Sequence, residues 1–171
     1  HYPSGFTQNF TGVISVGSVD VDGVKSPFSN FSPTSVDILA PGNESSGRLF
    51  RSILSTVSDG TYNRFQGTSM ASPVVAGSLG LAIAFMKTHG IPYTNASLEE
   101  LLFETATNDP QLRNIASQGR ILDLDRMSLA LYQMADIAID PVDSFLISPP
   151  IPSDQGDFSN SFESRPPRAC P

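Results

Sequence analysis

The sequence predicts an α/β layered fold, and three observations lead to that prediction. Short runs of β-branched residues precede residue 58, and Gly, Pro and Asp turn signals separate them. A long apolar stretch of helical character follows at residues 71–86. Two amphipathic segments with helix start signals lie between residues 97 and 134. Strands followed by buried helices are typical of a sheet covered by helices.

The strands are predicted from β-branched runs bounded by turn residues. Val13–Val19 is the first, Val36–Leu39 is the second, and Ile53–Val57 is the third. Proline and glycine interrupt the hydrogen-bond ladder of a strand, so Ala40-Pro41-Gly42 is expected to end the second strand. Ser58-Asp59-Gly60 is expected to form a turn after the third.

A long helix is predicted from about Ser69. Pro73 suits its first turn, where a missing N–H removes no hydrogen bond. Its apolar residues leave no polar face, so we expect the helix to be enclosed on all sides. Gly90 and Pro92 are expected to end it. The uncharged stretch Ala71–Met86 is too short for a comfortable membrane span, so no span is predicted.

Two shorter helices and a tail complete the chain. Ser97-Leu-Glu-Glu100 is a capping-box pattern and predicts a helix that buries three leucines and Ala106. Asp125–Met134 is predicted as a helix whose buried face carries Met127, Ala130, Leu131 and Met134. Six prolines lie between Pro141 and Pro167 and disfavour regular structure. We therefore expect one folded domain over residues 1–136 and a Pro-rich extension or tail over 137–171.

Composition excludes some classes of function. The net charge of −7 and the scattered Lys and Arg residues argue against nucleic-acid binding. Cys170 is the single cysteine, so no disulfide can form within the chain. It is either an incidental thiol on the tail or a bridge to another chain. Four Asn-x-Ser/Thr sequons, at Asn9, Asn30, Asn43 and Asn95, allow glycosylation if the chain passes through a eukaryotic secretory route.

Ser69 is the candidate nucleophile. A serine at the start of a buried helix lies beside unpaired backbone N–H groups, where the helix dipole favours the negative charge of an oxyanion. Serine is also a preferred N-cap, so on the Gly67-Thr68-Ser69 tripeptide alone a capping role is favoured.

The surrounding string resembles the nucleophile motif of the subtilisin-like (subtilase) serine proteases: Gly-Thr-Ser-Met-Ala-Ser-Pro-Val-Val-Ala-Gly at residues 67–77. Residues 13–20, 28–32 and 36–42 are similar to family segments that precede this motif, and the resemblance covers residues 1–134. The nucleophile elbow of the α/β-hydrolases needs the pattern Gly-x-Ser-x-Gly. Ala71 stands where that pattern needs its second glycine, so the α/β-hydrolase class is excluded. The residues that continue the motif after Ser69 disfavour the sedolisins. The resemblance implies a subtilisin-like layered fold with a mostly parallel sheet flanked by helices, here its C-terminal portion only.

The resemblance implies the following roles. Ser69 is the nucleophile, and the Thr68 hydroxyl either assists the oxyanion hole or only packs locally. Gly67 belongs to the substrate-binding residues, which include one pocket wall formed by Tyr2, Pro3, Ser4 and Gly5. The resemblance assigns no cofactor and no metal ligand. Asp37 lies where some subtilases bind a cation and leaves room for calcium as a structural ion.

The other catalytic residues are expected to lie elsewhere. In subtilases the order along the chain is Asp, His, Ser, and the oxyanion Asn also precedes the region matched here. His1 lies in the expected pocket wall, and His89 is expected about 30 Å from Ser69 along one helix, so neither is the base. The expected partners are therefore an N-terminal half of the same protease and a polypeptide substrate. A secreted or extracytoplasmic location is expected. The alternatives are a non-catalytic interaction module and an inactive fragment.

Overall fold

The computed structural model describes residues 12–43, 52–58 and 60–136 of the chain, and all of them belong to one structural unit. In chain order, the strands and helices of this part are β1 (Val16–Val19), β2 (Ile38–Pro41), β3 (Ile53–Thr56), β4 (Tyr62–Phe65), α1 (Thr68–Thr88), α2 (Asn95–Glu104), β5 (Thr107–Asn108), β6 (Arg120–Ile121) and α3 (Leu124–Met134). Short 3-10 turns at Pro110–Leu112 and Ser117–Gly119 connect β5 to β6.

The central sheet has the strand order β1-β2-β6-β5. β1 and β2 are parallel, with Val16 opposite Ile38, and β2 is parallel to β6, with Leu39 opposite Ile121. β5 runs antiparallel to β6. A mostly parallel sheet needs cover on its faces, and α1 packs along both β1 and β2. The predicted α/β layered fold is confirmed.

The strands differ from the prediction in their bounds and partners. β1 begins three residues later than expected, at Val16, and β2 includes Pro41 as its last residue. Proline is tolerated opposite Val19 because the Val19 carbonyl accepts its hydrogen bond from the Gly42 N–H, so pairing with β1 needs no donor at position 41. β3 does not join the central sheet but forms an antiparallel hairpin with β4, in which Thr56 is opposite Tyr62. β4, β5 and β6 were not predicted, since each is short and only partly buried.

The expectation that α1 is enclosed on all sides is wrong for the part of the chain that the structure describes. Its buried residues are spaced by three or four and form a single face: Ala71, Val75, Ser78, Ala82 and Met86. Leu81, on another face, is 57% exposed. The physical reason is that the central sheet, α2 and α3 contact one side of the helix only.

The predicted capping box is displaced by three residues. The N-cap of α2 is Thr94, whose hydroxyl oxygen accepts a hydrogen bond from the Ser97 N–H at 3.1 Å. In return, the Thr94 N–H donates to Ser97 Oγ at 2.8 Å. The box is therefore Thr94/Ser97 rather than Ser97/Glu100, because a serine hydroxyl at the third helical position replaces the usual Glu or Gln.

The predicted core positions of the two short helices are largely confirmed. Leu98, Leu101 and Leu102 are buried on α2, and Ala106 is buried immediately after it. On α3, Met127 and Leu131 are buried and Ala130 packs against the same cluster, but Met134 is 52% exposed at the last helical turn. α3 therefore contributes a narrower face than predicted.

Candidate active site

The loop between β4 and α1 places Ser69 in the first turn of the helix. Gly67 precedes the helix with φ 153° and ψ 162°, a backbone conformation that favours glycine. The Gly67 carbonyl accepts hydrogen bonds from the N–H groups of Met70 at 2.9 Å and Ala71 at 3.2 Å. Helix geometry leaves the N–H groups of Thr68 and Ser69 without intrahelical acceptors. Ser69 is exposed.

This placement tests the capping interpretation of Ser69. The N-cap residue of α1 is Gly67, and this helix start carries no side-chain capping hydrogen bond. Ser69 is the second residue of the helix, so the alternative that it serves as the N-cap is wrong. An exposed hydroxyl beside free N–H groups and the positive end of a helix dipole suits acyl transfer, in which negative charge develops on the carbonyl oxygen.

Gly42 anchors this loop to the central sheet. Its N–H donates to the Val19 carbonyl at 3.1 Å, and its carbonyl accepts from the Gly67 N–H at 2.7 Å. A Cβ at position 42 would lie 2.6 Å from the Gly67 carbonyl oxygen, 2.7 Å from Ser18 Oγ and 2.9 Å from the Ala71 Cβ. The segment that carries Ser69 therefore packs directly on the backbone of Gly42.

The role of Gly42 was missed in the sequence, where it was interpreted only as a strand terminator. The available signal was its position, because ligand and catalytic sites of parallel sheets gather at the carboxyl ends of strands. Ser18 is held beneath Gly42 by a buried network. Its hydroxyl is 2.7 Å from Ser26 Oγ, and its N–H donates to Ser29 Oγ at 2.9 Å.

The structure places only some of the predicted site residues. Gly67, Thr68 and Ser69 are consecutive at the start of α1, and Thr68 is half-buried. The assistance of the Thr68 hydroxyl to an oxyanion stays a prediction. Tyr2, Pro3, Ser4 and Gly5 lie outside the described residues, and so does His1.

His89 is the one histidine in the part of the chain that the structure describes. It caps the C-terminal end of α1, and its ring lies 4.3 Å from that of Phe85. Twenty residues of helix separate it from Ser69, which corresponds to roughly 30 Å. The described residues therefore place no histidine near the candidate nucleophile.

Asp37 is a half-buried carboxylate just before β2. Its Oδ2 accepts a hydrogen bond from the Ser15 N–H at 2.7 Å. Burial raises the pKa of Asp37; the Ser15 hydrogen bond opposes the rise, Glu99 adds to it, and Arg120 opposes it. Within residues 12–43, 52–58 and 60–136, no group of three or more His, Cys, Asp or Glu side chains is arranged to hold a metal. A structural calcium ion here stays a prediction.

Replacing Asp37 with Asn is expected to change the pH dependence of stability. A folded-state pKa above the unfolded value means that the protonated carboxyl favours folding. Its contribution is complete below the unfolded pKa and is lost as pH rises through the folded pKa. The free energy of unfolding of Asp37→Asn should therefore increase relative to that of the unsubstituted chain as pH rises from the acid range.

Urea unfolding at a series of pH values measures this difference. The exposed Asp22→Asn substitution is the control, since it removes the same charge from a solvated turn. A difference between Asp37→Asn and the unsubstituted chain that is constant with pH would contradict the expectation.

A cavity of about 290 Å³ lies beside the end of β2 and the start of α3. Its lining residues are Pro41, Val74 and the run from Leu122 to Asp125, so it does not reach Ser69. Asp123 has a structural role at its edge. One carboxylate oxygen accepts from the Arg126 N–H at 3.0 Å, and the other accepts from Thr107 Oγ1 at 2.6 Å.

An exposed serine in the first turn of a core helix is anchored to the end of a mostly parallel sheet, an arrangement of the α/β layered class of fold. The family model described as the subtilase family (peptidase S8) matches residues 1–120. The chain belongs to the subtilase family.

Among curated proteins, the chain is similar to an intracellular serine protease of Paenibacillus polymyxa, with 47% identity over 77 residues. That match covers 45% of this chain and 21% of the relative. It is also 35% identical over 103 residues to subtilisin E of Bacillus subtilis, covering 60% of this chain and 24% of subtilisin E. The matched region thus spans about a quarter or less of these two relatives.

Among solved structures, a protease from Pseudoalteromonas arctica aligns with a TM-score of 0.58 and 27% identity, covering 76% of this chain and 38% of the other. The self-cleaved protease domain of PatA aligns with a TM-score of 0.60 and 26% identity, covering 81% of this chain and 46% of the other. The chain therefore corresponds to less than half of each solved chain.

Proposed function

We propose that this chain is the nucleophile-bearing C-terminal half of a serine endopeptidase domain. The observation that carries the proposal is the position of Ser69: exposed, second in a core helix, and held by Gly67 and Gly42 at the end of the central sheet. The relatives of this chain that are named subtilisin and serine protease support the same chemistry.

In the proposed reaction, Ser69 Oγ attacks the carbonyl carbon of a polypeptide substrate and loses its proton to a histidine base. The tetrahedral intermediate then collapses, the peptide C–N bond breaks, and the base returns the proton to the leaving amine. In the second stage the histidine takes a proton from water, and the water oxygen attacks the acyl carbon. The ester bond to Ser69 Oγ then breaks, and the histidine returns the proton to Oγ. Within this chain, the free N–H groups at the start of α1 stabilise the oxyanion.

The base, its orienting aspartate and the oxyanion asparagine are proposed to come from an N-terminal half of the same protease. Two observations support this partner. The one described histidine, His89, is at the far end of α1 from Ser69. The solved relatives extend well beyond the matched region. Without that half, serine at its ordinary acidity is a poor nucleophile, so we expect negligible proteolysis from the chain alone.

A fluorophosphonate probe tests the proposal. It should label Ser69 in a preparation that contains both halves, and peptide mapping should locate the adduct. Ser72→Ala is the matched control, since Ser72 is an exposed serine one helical turn away and its removal should leave labelling unchanged. Absence of label with both halves present would favour the second candidate, a non-catalytic interaction module or inactive fragment.

We further propose that the protein works outside the cytoplasm, as a two-chain and glycosylated protease. The sequons support this: among those within the described residues, Asn30 and Asn95 are exposed, whereas Asn43 is buried and a poor acceptor. Cys170 then provides a disulfide to the other chain. No nucleic-acid partner is proposed, in keeping with the net charge of −7.

Within the described residues, α1 is long and apolar enough to cross a membrane by length and composition. We propose that it is a core helix instead, because its buried face joins two hydrophobic clusters that include residues of β2, α2 and α3. Ser78 also lies on that buried face, where its hydroxyl donates to the Val74 carbonyl at 2.7 Å.

A further inference from the structure

Two buried serines lie beneath the segment that carries Ser69. Ser18, in β1, and Ser26, in the connection between β1 and β2, are both fully buried. Their hydroxyl oxygens are 2.7 Å apart. The Ser26 N–H also donates to the Ser18 carbonyl at 2.9 Å, so the connection is bound to β1 through both backbone and side chain. The proposed reaction uses neither hydroxyl.

The Ser18 hydroxyl lies next to the residue that precedes α1. Its oxygen is 2.7 Å from the position that a Cβ would take at Gly42, and the Gly67 carbonyl oxygen is 2.6 Å from the same position. The two oxygens are therefore close neighbours around the space where Gly42 lacks a side chain. The hydrogen of a serine hydroxyl rotates to suit its surroundings, so the groups around Ser18 decide where it donates.

The Gly67 carbonyl is the acceptor on which the first turn of α1 closes. It accepts hydrogen bonds from the N–H groups of Met70 at 2.9 Å and Ala71 at 3.2 Å. A carbonyl oxygen has two lone pairs, and these two bonds use both. A further donor at this oxygen would compete with the helix N–H groups and loosen the turn. Because Ser69 lies within that turn, its hydroxyl would move as well.

We infer that Ser26 is a positioning residue for Ser69: it holds the Ser18 hydroxyl in a hydrogen bond and so keeps it off the Gly67 carbonyl. The inference rests on the proposed function, in which Ser69 is the nucleophile. A buried donor that loses its partner is unfavourable and takes another acceptor where one is near. With alanine at position 26, the neighbouring Gly67 carbonyl becomes that acceptor.

Fluorophosphonate labelling with both halves of the protease present tests the inference. Ser26→Ala should slow the labelling of Ser69 roughly tenfold, less than the effect of about 10²-fold expected for a full 1 Å displacement. The double variant Ser18→Ala/Ser26→Ala also removes the freed hydroxyl and should therefore restore the unsubstituted rate. Ser78→Ala is the matched control. Ser78 is also a buried serine, but its hydroxyl donates within α1, so the labelling rate should not change.

Amide hydrogen exchange on the same samples gives a second readout that does not depend on catalysis. The N–H groups of Met70 and Ala71 should exchange faster in Ser26→Ala and at the unsubstituted rate in the double variant. If Ser26→Ala does not fold, Ser26→Cys takes its place. Its thiol is a weaker hydrogen-bonding group of similar size, so labelling should slow by about two- to threefold.

Two results would overturn the inference. One is labelling of a folded Ser26 variant at the unsubstituted rate. The other is a double variant that is labelled as slowly as Ser26→Ala, since the hydroxyl pair would then only bind the connection to β1. If the unsubstituted protein is not labelled at Ser69, the proposed protease activity fails. Faster exchange at Met70 and Ala71 in Ser26→Ala would still support the role of Ser26 in positioning the first turn of α1.

Discussion

Replacing Ser69 with Ala is expected to abolish peptide hydrolysis by the assembled protease. Removing the nucleophile of a serine protease of this type lowers kcat by about 10⁶-fold. Substrate affinity should change little, because the hydroxyl is proposed to bond covalently to the substrate rather than to hold it. Initial rates on a peptide substrate, measured with both halves present, give the two quantities separately.

The fold of Ser69→Ala should be intact. The side chain is exposed, and it makes no capping hydrogen bond at this helix start. The thermal midpoint should therefore stay within about 2 °C of that of the unsubstituted chain, the usual range for a surface change that breaks no contact. A variant that folds normally and retains more than a trace of turnover would remove Ser69 from the mechanism.

Ser69 could be predicted as the candidate nucleophile from the sequence because its signal is local. The tight turn at Gly67 and the helix that continues after Ser69 are encoded in one continuous stretch of sequence, residues 67–77. The helices were located for the same reason: their apolar spacing and their termini are encoded within a few turns. The capping box of α2 was misplaced because two residues three positions apart, Thr94 and Ser97, are both suitable N-caps.

Properties that depend on distant residues were not predicted. β6 pairs with β2 across about eighty positions of sequence, and two residues carry too little pattern to reveal a strand. Which side of α1 is exposed depends on the elements that pack against the helix. The sequence of the helix shows only that it is apolar. Gly42 was read as a strand terminator because its contact with Gly67 joins segments that are separated in the chain.

That contact makes Gly42→Ala the most informative substitution away from the nucleophile. The new methyl group would overlap the Gly67 carbonyl oxygen at 2.6 Å and the Ala71 Cβ at 2.9 Å, and neither is the end of a flexible side chain. Relief requires the start of α1 to move away from β2. Overpacking of this kind is expected to lower the free energy of unfolding by about 1–3 kcal/mol.

The same movement should impair Ser69 itself. The Gly67 N–H donates to the Gly42 carbonyl at 2.7 Å, so displacing one residue displaces the other and shifts the nucleophile two residues further on. A misplacement of about 1 Å at a catalytic group costs on the order of 10²-fold in rate. Fluorophosphonate labelling of the assembled Gly42→Ala protease should therefore slow by that order, at a temperature where unfolding measurements show it to be folded.

The matched control for stability is Gly80→Ala in the chain alone. It is also a Gly→Ala change, but its Cβ meets nothing within 4 Å, and alanine is about 1 kcal/mol more favourable than glycine inside a helix. The two substitutions should thus change the free energy of unfolding in opposite directions. If both variants were equally stabilised and Gly42→Ala were labelled at the unsubstituted rate, the carboxyl end of β2 would not fix the position of Ser69. The packing of the first helical turn alone would then have to do so.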